Sequence, residues 1–214
     1  MMIVENIESG GFMAAIRGMR NSWNSWEKSD SSPLAIGPKD RELMENLIKA
    51  GPSHSKFRRL ITAWFDVIGP LYWWKQFDTY KVGTTACSTS SMHTVMQRKL
   101  NIQDFSYEKI NNVDLMMIIE FINRLIDEYN NETNQKLRRQ YFEEVVALLP
   151  ESFNQKRTIC TNYEVLANIY AQRKGHRLKE WGYFRKCLLN AFPESWIITS
   201  GMDEADELDD YAEV

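Results

Sequence analysis

Along the 214-residue chain the apolar positions change period twice, and those changes mark out the elements. The first twenty residues read as short extended pieces around Gly10-Gly11. Residues 21–38, rich in serine and holding two prolines, read as a loop despite Trp23 and Trp26. Pro38 then opens a helix through Ala50 that keeps Leu43, Leu47 and Ile48 on one face, and Gly51-Pro52 ends it. Between 57 and 68 the period drops to two, with Ile61, Ala63, Phe65 and Val67 alternating against Leu60, Thr62, Trp64 and Asp66. That pattern predicts a strand, stopped by Gly69-Pro70. LYWWKQFDTYK predicts a helical turn or short helix, and the hydroxyl-rich VGTTACSTSSMH a loop.

From Asp114 the period becomes helical. Leu115, Ile118, Ile119, Ile122, Leu125, Ile126 and Tyr129 form one broad stripe. Three more helices follow: 132–149 ending at Pro150, 158–174 closed by Gly175, and 178–192 stopped by Pro193. The sum is an α+β chain, a small antiparallel sheet packed with several helices. Residues 1–202 read as a single domain and 203–214 as an acidic, disordered tail.

Composition narrows the classes. With 43% hydrophobic and 26% charged residues the chain is an ordinary globular mixture, not a disordered, collagenous or disulfide-stapled one. Even the apolar run at 115–119 soon meets Glu120, Asn123 and Arg124, so no membrane span is expected. MMIVENIESG lacks the features of a secretory signal, which points to the cytoplasm. Net charge is −3, yet seven acids fall within the last twelve residues; with those set aside the remainder carries +4. A mildly basic body suits anionic ligands such as nucleotides, while the lack of a strongly basic stripe argues against duplex nucleic acid. Cys87, Cys160 and Cys187, and His54, His93 and His176, fall at no metal-ligand spacing, so no metal is expected.

GxGxxG, P-loop, GxSxG and HExxH motifs are all absent. Two clusters remain. Tyr72 to Lys81 mixes four further aromatics with Lys75, Gln76 and Lys81, which suits a ring and a phosphate; read by themselves, its tryptophans fit a core and its lysines a solvated face. Asn162, Asn168 and Arg173, six and five residues apart, fall about 240° and 140° apart on a continuous helix and so share no single stripe.

These clusters carry a family resemblance. GPLYWWKQFDTYKVGT at 69–84 resembles the signature segment of the flavin-dependent thymidylate synthases, with Lys75-Gln76 for the family's Arg-Gln, Thr79-Tyr80-Lys81 for its Arg-His-Arg, and Thr89 at its serine position. Leu149-Pro150 followed by Asn162, Asn168 and Arg173 matches the spacing of the family's second block. His54 before Phe57 resembles its His-x-x-x-Phe entry, shortened by one residue, and MAAIRGM at 13–19 its first strand. The resemblance implies the fold of the thymidylate-synthase-complementing proteins and a homotetramer that shares sites for FAD and dUMP. It also implies methylenetetrahydrofolate and NADPH as co-substrates in dTMP biosynthesis. Carried over by position, His54, Lys81, Asn162 and Asn168 would face the flavin, and Lys75, Gln76, Thr89 and Arg173 the pyrimidine nucleotide. A chain of this size also resembles phage-encoded proteins, which would place it in a host cytoplasm.

The departures cluster in the anion-binding positions. Thr79 and Tyr80 replace Arg and His, Val146 and Ser91 stand where arginines are expected, and Ala86-Cys87 replaces an Asn-Glu pair. A phenol is neutral where an imidazole can carry charge. No catalytic residue is assigned on this pattern. Two readings follow: a diverged flavin- and nucleotide-binding enzyme of this family, or a non-catalytic descendant that keeps the fold and binds a nucleotide or a protein partner.

Overall fold

In a computed structural model the described residues are 2–108 and 110–199; the acidic segment at 203–214 lies outside them. In chain order the elements are β1 (Ile3–Gly10), α1 (Phe12–Arg20), α2 (Pro38–Lys49), β2 (Thr62–Pro70), α3 (Leu71–Phe77), β3 (Thr85–Ser88) and α4 (Ser91–Thr94). They continue with α5 (Asn112–Asn131), α6 (Gln135–Leu148), β4 (Asn154–Asn162), α7 (Tyr163–Gln172), α8 (Lys179–Asn190) and α9 (Trp196–Thr199). The four strands form an antiparallel sheet in the order β1-β2-β4-β3, so the α+β expectation holds. Among the described residues no helix is long and apolar enough to cross a membrane.

The chain divides into two compact units. One comprises Met1–Ile3, Val67–Thr79 and Cys87–Thr158; the other comprises Val4–Asp66, Tyr80–Ala86 and Ile159–Val214.

In the first unit, α5 and α6 form a helical hairpin whose stripe of Leu115, Ile119, Ile122, Leu125 and Ile126 is buried with Val95, Met96, Leu100, Phe105 and Val145. Each helix starts at an asparagine. Asn111 accepts from the Val113 N–H, and Asn134 from the N–H groups of Lys136 and Leu137, which is why α6 begins at Gln135 and not at Glu132. On α3 the short aromatic run buries Trp73, Trp74 and Phe77, with ring centroids 4.8–5.4 Å apart, so the tryptophans belong to the core.

In the second unit the alternation of β2 is realised as read: Ile61, Ala63 and Phe65 are buried while Leu60 and Trp64 are exposed. Phe65 packs on Phe184 of α8 at 5.9 Å and on Phe192 at 5.3 Å. The turn from β1 into α1 depends on Gly11, which adopts φ 95°; a Cβ there would lie 2.2 Å from the Leu60 carbonyl oxygen.

Three expectations are corrected. Residues 13–19 are helical, because Ala15, Ile16 and Met19 are buried at helical spacing and Ala14-Ala15 favours that conformation. The hydroxyl-rich segment holds an edge strand, β3, whose four residues are all exposed and so leave no alternation to read. The helix read from residue 158 starts only at Tyr163. Thr158, Ile159 and Thr161 are β-branched and belong to β4, where Ile159 and Thr161 are buried and Thr158 and Cys160 are not.

The loop between α1 and α2 is organised by one buried carboxylate. Asp40 is 0% exposed and pairs with Arg20, which is 5% exposed, at 2.6 Å. It also accepts from Ser29 Oγ and Ser31 Oγ, both at 2.7 Å, and from the N–H groups of Asp30 and Ser31 at 3.1 Å. Burial raises the pKa of Asp40, but the hydrogen bonds from Ser31, Ser29 and Arg20 outweigh it, so the carboxyl titrates below its ordinary 3.8. A carboxyl depressed in this way stabilises the fold fully above its unfolded pKa, and that contribution drains as pH falls through the folded one. Asp40→Asn, which leaves Arg20 buried without its counter-ion, is expected to cost about 3–5 kcal/mol at neutral pH and to flatten the acid side of the stability curve. Urea unfolding of both proteins at neutral pH and at about pH 3 checks this; the same acid loss in both would overturn it.

Candidate functional site

The second unit gathers one polar cluster around Arg173, the residue that ends α7. Its Nε donates to the Tyr80 hydroxyl at 2.8 Å, and its guanidinium lies over the Trp181 ring at 4.4 Å and the Tyr80 ring at 5.2 Å. Tyr80 in turn donates to Gln172 Oε1 at 3.1 Å. The arginine thus lies against the Trp181 ring with its Nε edge fixed by the Tyr80 hydroxyl, the two rings being inclined at 70°, an arrangement that fits a guanidinium and not an ammonium. Its place at the C-terminus of α7 adds the favourable end of the helix dipole. His176 stands beside the same Trp181 ring, 6.2 Å away; burial, then the charges of Arg173 and Arg177, push its pKa down, so it stays neutral near pH 7.

The segment that carries Tyr80 and Lys81 is stapled to the end of β4. Thr84 Oγ1 and Thr161 Oγ1 share a hydrogen bond of 2.8 Å, and Thr161 Oγ1 also donates to the Gly83 carbonyl at 3.2 Å. Gly83 adopts φ 78°, and a Cβ there would sit 2.9 Å from Asn162 Nδ2. Asn162 itself is the N-cap of α7: its Oδ1 accepts from the N–H groups of Glu164 and Val165, both at 3.1 Å. It is therefore not a mid-helix residue, and the continuous-helix angles between Asn162, Asn168 and Arg173 do not apply. Asn168 is exposed on α7 and Lys81 is exposed beyond Tyr80.

His54 is placed elsewhere in the same unit. It is exposed and lines a cleft of about 920 Å³ with Met19, Trp23, Lys39, Leu43, Leu47 and Phe57, and none of the other carried-over residues lines that cleft.

The first unit holds the remaining candidates. Lys75 is exposed and paired with Glu151 at 2.5 Å, and Gln76, half-buried on α3, accepts from Thr79 Oγ1 through its carbonyl at 2.7 Å. Thr89 lies just past β3, where its hydroxyl and its N–H both donate to the Lys156 carbonyl, at 3.1 and 2.9 Å. It lines a smaller cleft of about 410 Å³ with Ser91, Thr94, Asn154 and Lys156. Neither Lys75 nor Gln76 lines it.

One charged residue here was not singled out by the sequence. Arg157 of β4 is 14% exposed, lies over the Trp74 ring at 4.3 Å, and donates to Asp78 at 2.7 Å and to Gln155 Oε1 at 2.9 Å. A strand period through 154–162 puts Gln155 and Arg157 on one face, but the sequence reading assigns no element to 151–157.

No protein-family model matches the sequence, and no curated protein matches it. Solved structures do. Thymidylate synthase X (ThyX) from Helicobacter pylori with FAD and dUMP superposes at a TM-score of 0.71 and 19% identity, over 97% of this chain and 98% of that chain. The flavin-dependent thymidylate synthase ThyX of the same organism, in another structure complexed with FAD and dUMP, gives 0.70 at 19% identity over 94% and 97%. A UMP/dUMP methylase, PolB from Streptomyces cacaoi bound with 5-Br dUMP, gives 0.48 at 15% identity over 78% and 75%. This chain has the fold of the flavin-dependent thymidylate synthases along nearly its whole length.

The capping role of Asn162 is testable apart from any ligand. Asn162→Ala is expected to lower stability by about 1 kcal/mol, and Asn162→Asp, itself a good N-cap, to restore most of it. Denaturant midpoints of the three proteins decide the point; an unchanged midpoint for the alanine variant would remove the cap from the account.

Proposed function

We propose that the protein binds a flavin and a pyrimidine nucleotide of the dUMP class, assembled as a homotetramer. One observation carries the reading: Arg173, at the position the family resemblance assigns to the nucleotide, is presented at a helix end with its plane and one edge fixed by Trp181 and Tyr80. A preset guanidinium loses little freedom on meeting a phosphate or a pyrimidine carbonyl, and a charged hydrogen bond of that kind contributes about 1.5–3 kcal/mol. The likeness to two structures that hold FAD and dUMP supports the choice of ligands.

The donor set fits a flavin in part. Lys81 and Asn168 present an ammonium and an amide at the surface, the groups that pyrophosphate and a ring edge call for, and His54 offers an imidazole. Asn162 would contribute only through its amide N–H side, because its oxygen caps α7. A bound flavin supplies hydride transfer; this chain's residues supply binding and orientation.

A second reading, that the protein is non-catalytic, has its own support. The residue at the signature histidine position is a phenol whose hydroxyl is engaged by Arg173 and Gln172, and the Thr89 hydroxyl is bonded to a main-chain carbonyl. Methyl transfer from methylenetetrahydrofolate with NADPH is therefore the activity to assay once flavin binding is established.

The test is the visible absorption spectrum of the purified protein titrated with FAD and then dUMP. A flavin band that shifts with dUMP is the expected result, and Arg173→Ala should weaken the dUMP response about ten- to a hundredfold without unfolding the protein. A protein that stays colourless in excess FAD would overturn the flavin reading and leave the non-catalytic one.

A further inference from the structure

The outer face of α5 leaves large apolar side chains exposed. Val113 is 67% exposed, Met117 64% and Phe121 42%, on the helix whose opposite stripe is fully packed. At about 100° per residue, Asp114, Met117, Phe121 and Arg124 fall within roughly 80° of arc, some 130° around from the buried stripe. A lone exposed apolar side chain needs no account, but three large ones spread over two turns of one helix do.

The polar residues framing this strip identify its occupant. Asp114 lies at one end and Arg124 at the other, with Met117 and Phe121 between them. Asp114 to Arg124 and Met117 to Phe121 have the same midpoint, at the level of position 119. An antiparallel copy of α5 whose two-fold axis crosses at that level sets Asp114 opposite Arg124 of the second copy, Met117 opposite Phe121, and each pair again in reverse. That is the self-complementarity an isologous interface requires. An unrelated partner would not require the acid and the base to be equidistant from the centre of the strip. Arg124 is already turned toward the strip, its guanidinium 4.9 Å from the Phe121 ring, while also pairing with Glu128 at 2.6 Å. Asp114 has no ion pair among the described residues.

We propose that this face of α5 is a self-association surface, on which a second copy of the chain docks antiparallel through Met117 and Phe121, with Asp114 and Arg124 setting the register. The inference gives a location to the assembly proposed above and rests on that self-association, but not on ligand binding. Rim charges set register and choice of partner more than they set affinity, and the two central apolar residues supply the driving force.

Sedimentation velocity over a range of protein concentrations tests it. Wild type is expected to self-associate, and Met117→Lys to shift the chain at least tenfold in concentration toward the smaller species. Asp114→Arg and Arg124→Asp should each weaken association severalfold by placing like charges opposite one another, and the double variant Asp114→Arg/Arg124→Asp should recover most of it. That rescue separates a cross-copy pair from a general loss of stability, and circular dichroism checks the fold of each variant. Association unchanged in Met117→Lys and in both single charge variants would overturn this surface while leaving the tetramer to form elsewhere. Loss in the singles without rescue in the double would overturn the register. A wild type that remains monomeric throughout would overturn both this inference and the tetramer, and the FAD titration would still decide ligand binding.

Discussion

Two hydrogen bonds accepted by Asn162, from the N–H groups of Glu164 and Val165, fix the residue at which β4 stops and α7 begins. Much of the second unit is set by that one position. A start one residue earlier or later would turn every α7 side chain by about 100°. It would then lift the buried Tyr163, Leu166, Ile169 and Tyr170 out of the core and swing Arg173 off the Trp181 face. The junction is held from several sides. Tyr163 is buried, edge-on to Phe12 at 5.8 Å, and its hydroxyl donates to the Pro193 carbonyl; burial pushes its pKa up to about 12, so it remains a phenol. Gly83, the close neighbour of the Asn162 amide, has no side chain to push it away.

That constraint explains how the Arg173 guanidinium is held in place. The Arg173–Tyr80–Gln172 chain is a network in which one phenol hydroxyl accepts from Arg173 and donates to Gln172. The cost is charge. A histidine there could carry a positive charge, while a phenol contributes a fixed hydroxyl. The cluster therefore favours preorganisation over added charge, which suits the proposed nucleotide more as a bound ligand than as a reacting one.

What the sequence disclosed follows from how each element is buried. Residues 38–50, the stripe from Leu115 to Tyr129 and the alternation in β2 were readable because one face of each meets a core and the other meets solvent or a polar neighbour. β3 was not, since an edge strand with all four residues exposed has no second face to contrast. β4 was hidden by its join to α7: a strand of nine residues runs straight into a helix, with the cap asparagine inside what looked like one helical run. The same join changed the geometry expected of the cluster, because the angle drawn from Asn162 to Arg173 assumed a helix where a strand ends. The partners that orient Arg173, Gln172 and Trp181, lie one and eight residues away and carry no motif.

The α3 segment shows how packing can fix the spacing of a segment independently of its exposed residues. Of its seven residues, Trp73, Trp74 and Phe77 are buried against one another, and the Trp74 indole N–H donates to the Gln155 carbonyl at 2.9 Å. An insertion or deletion there would rotate these rings out of the core at a cost of several kcal/mol, whatever the exposed residues do. Lys75 and Thr79 lie on the outside, where substitution costs the fold little. Spacing is thus held by packing, a constraint that the exposed residues do not share. A chain only 19% identical to a protein can therefore share its fold over 97% of its own length. Function is written in such polar positions, which is why the orientation given to Arg173 by its neighbours bears on the proposed ligand more than the fold does.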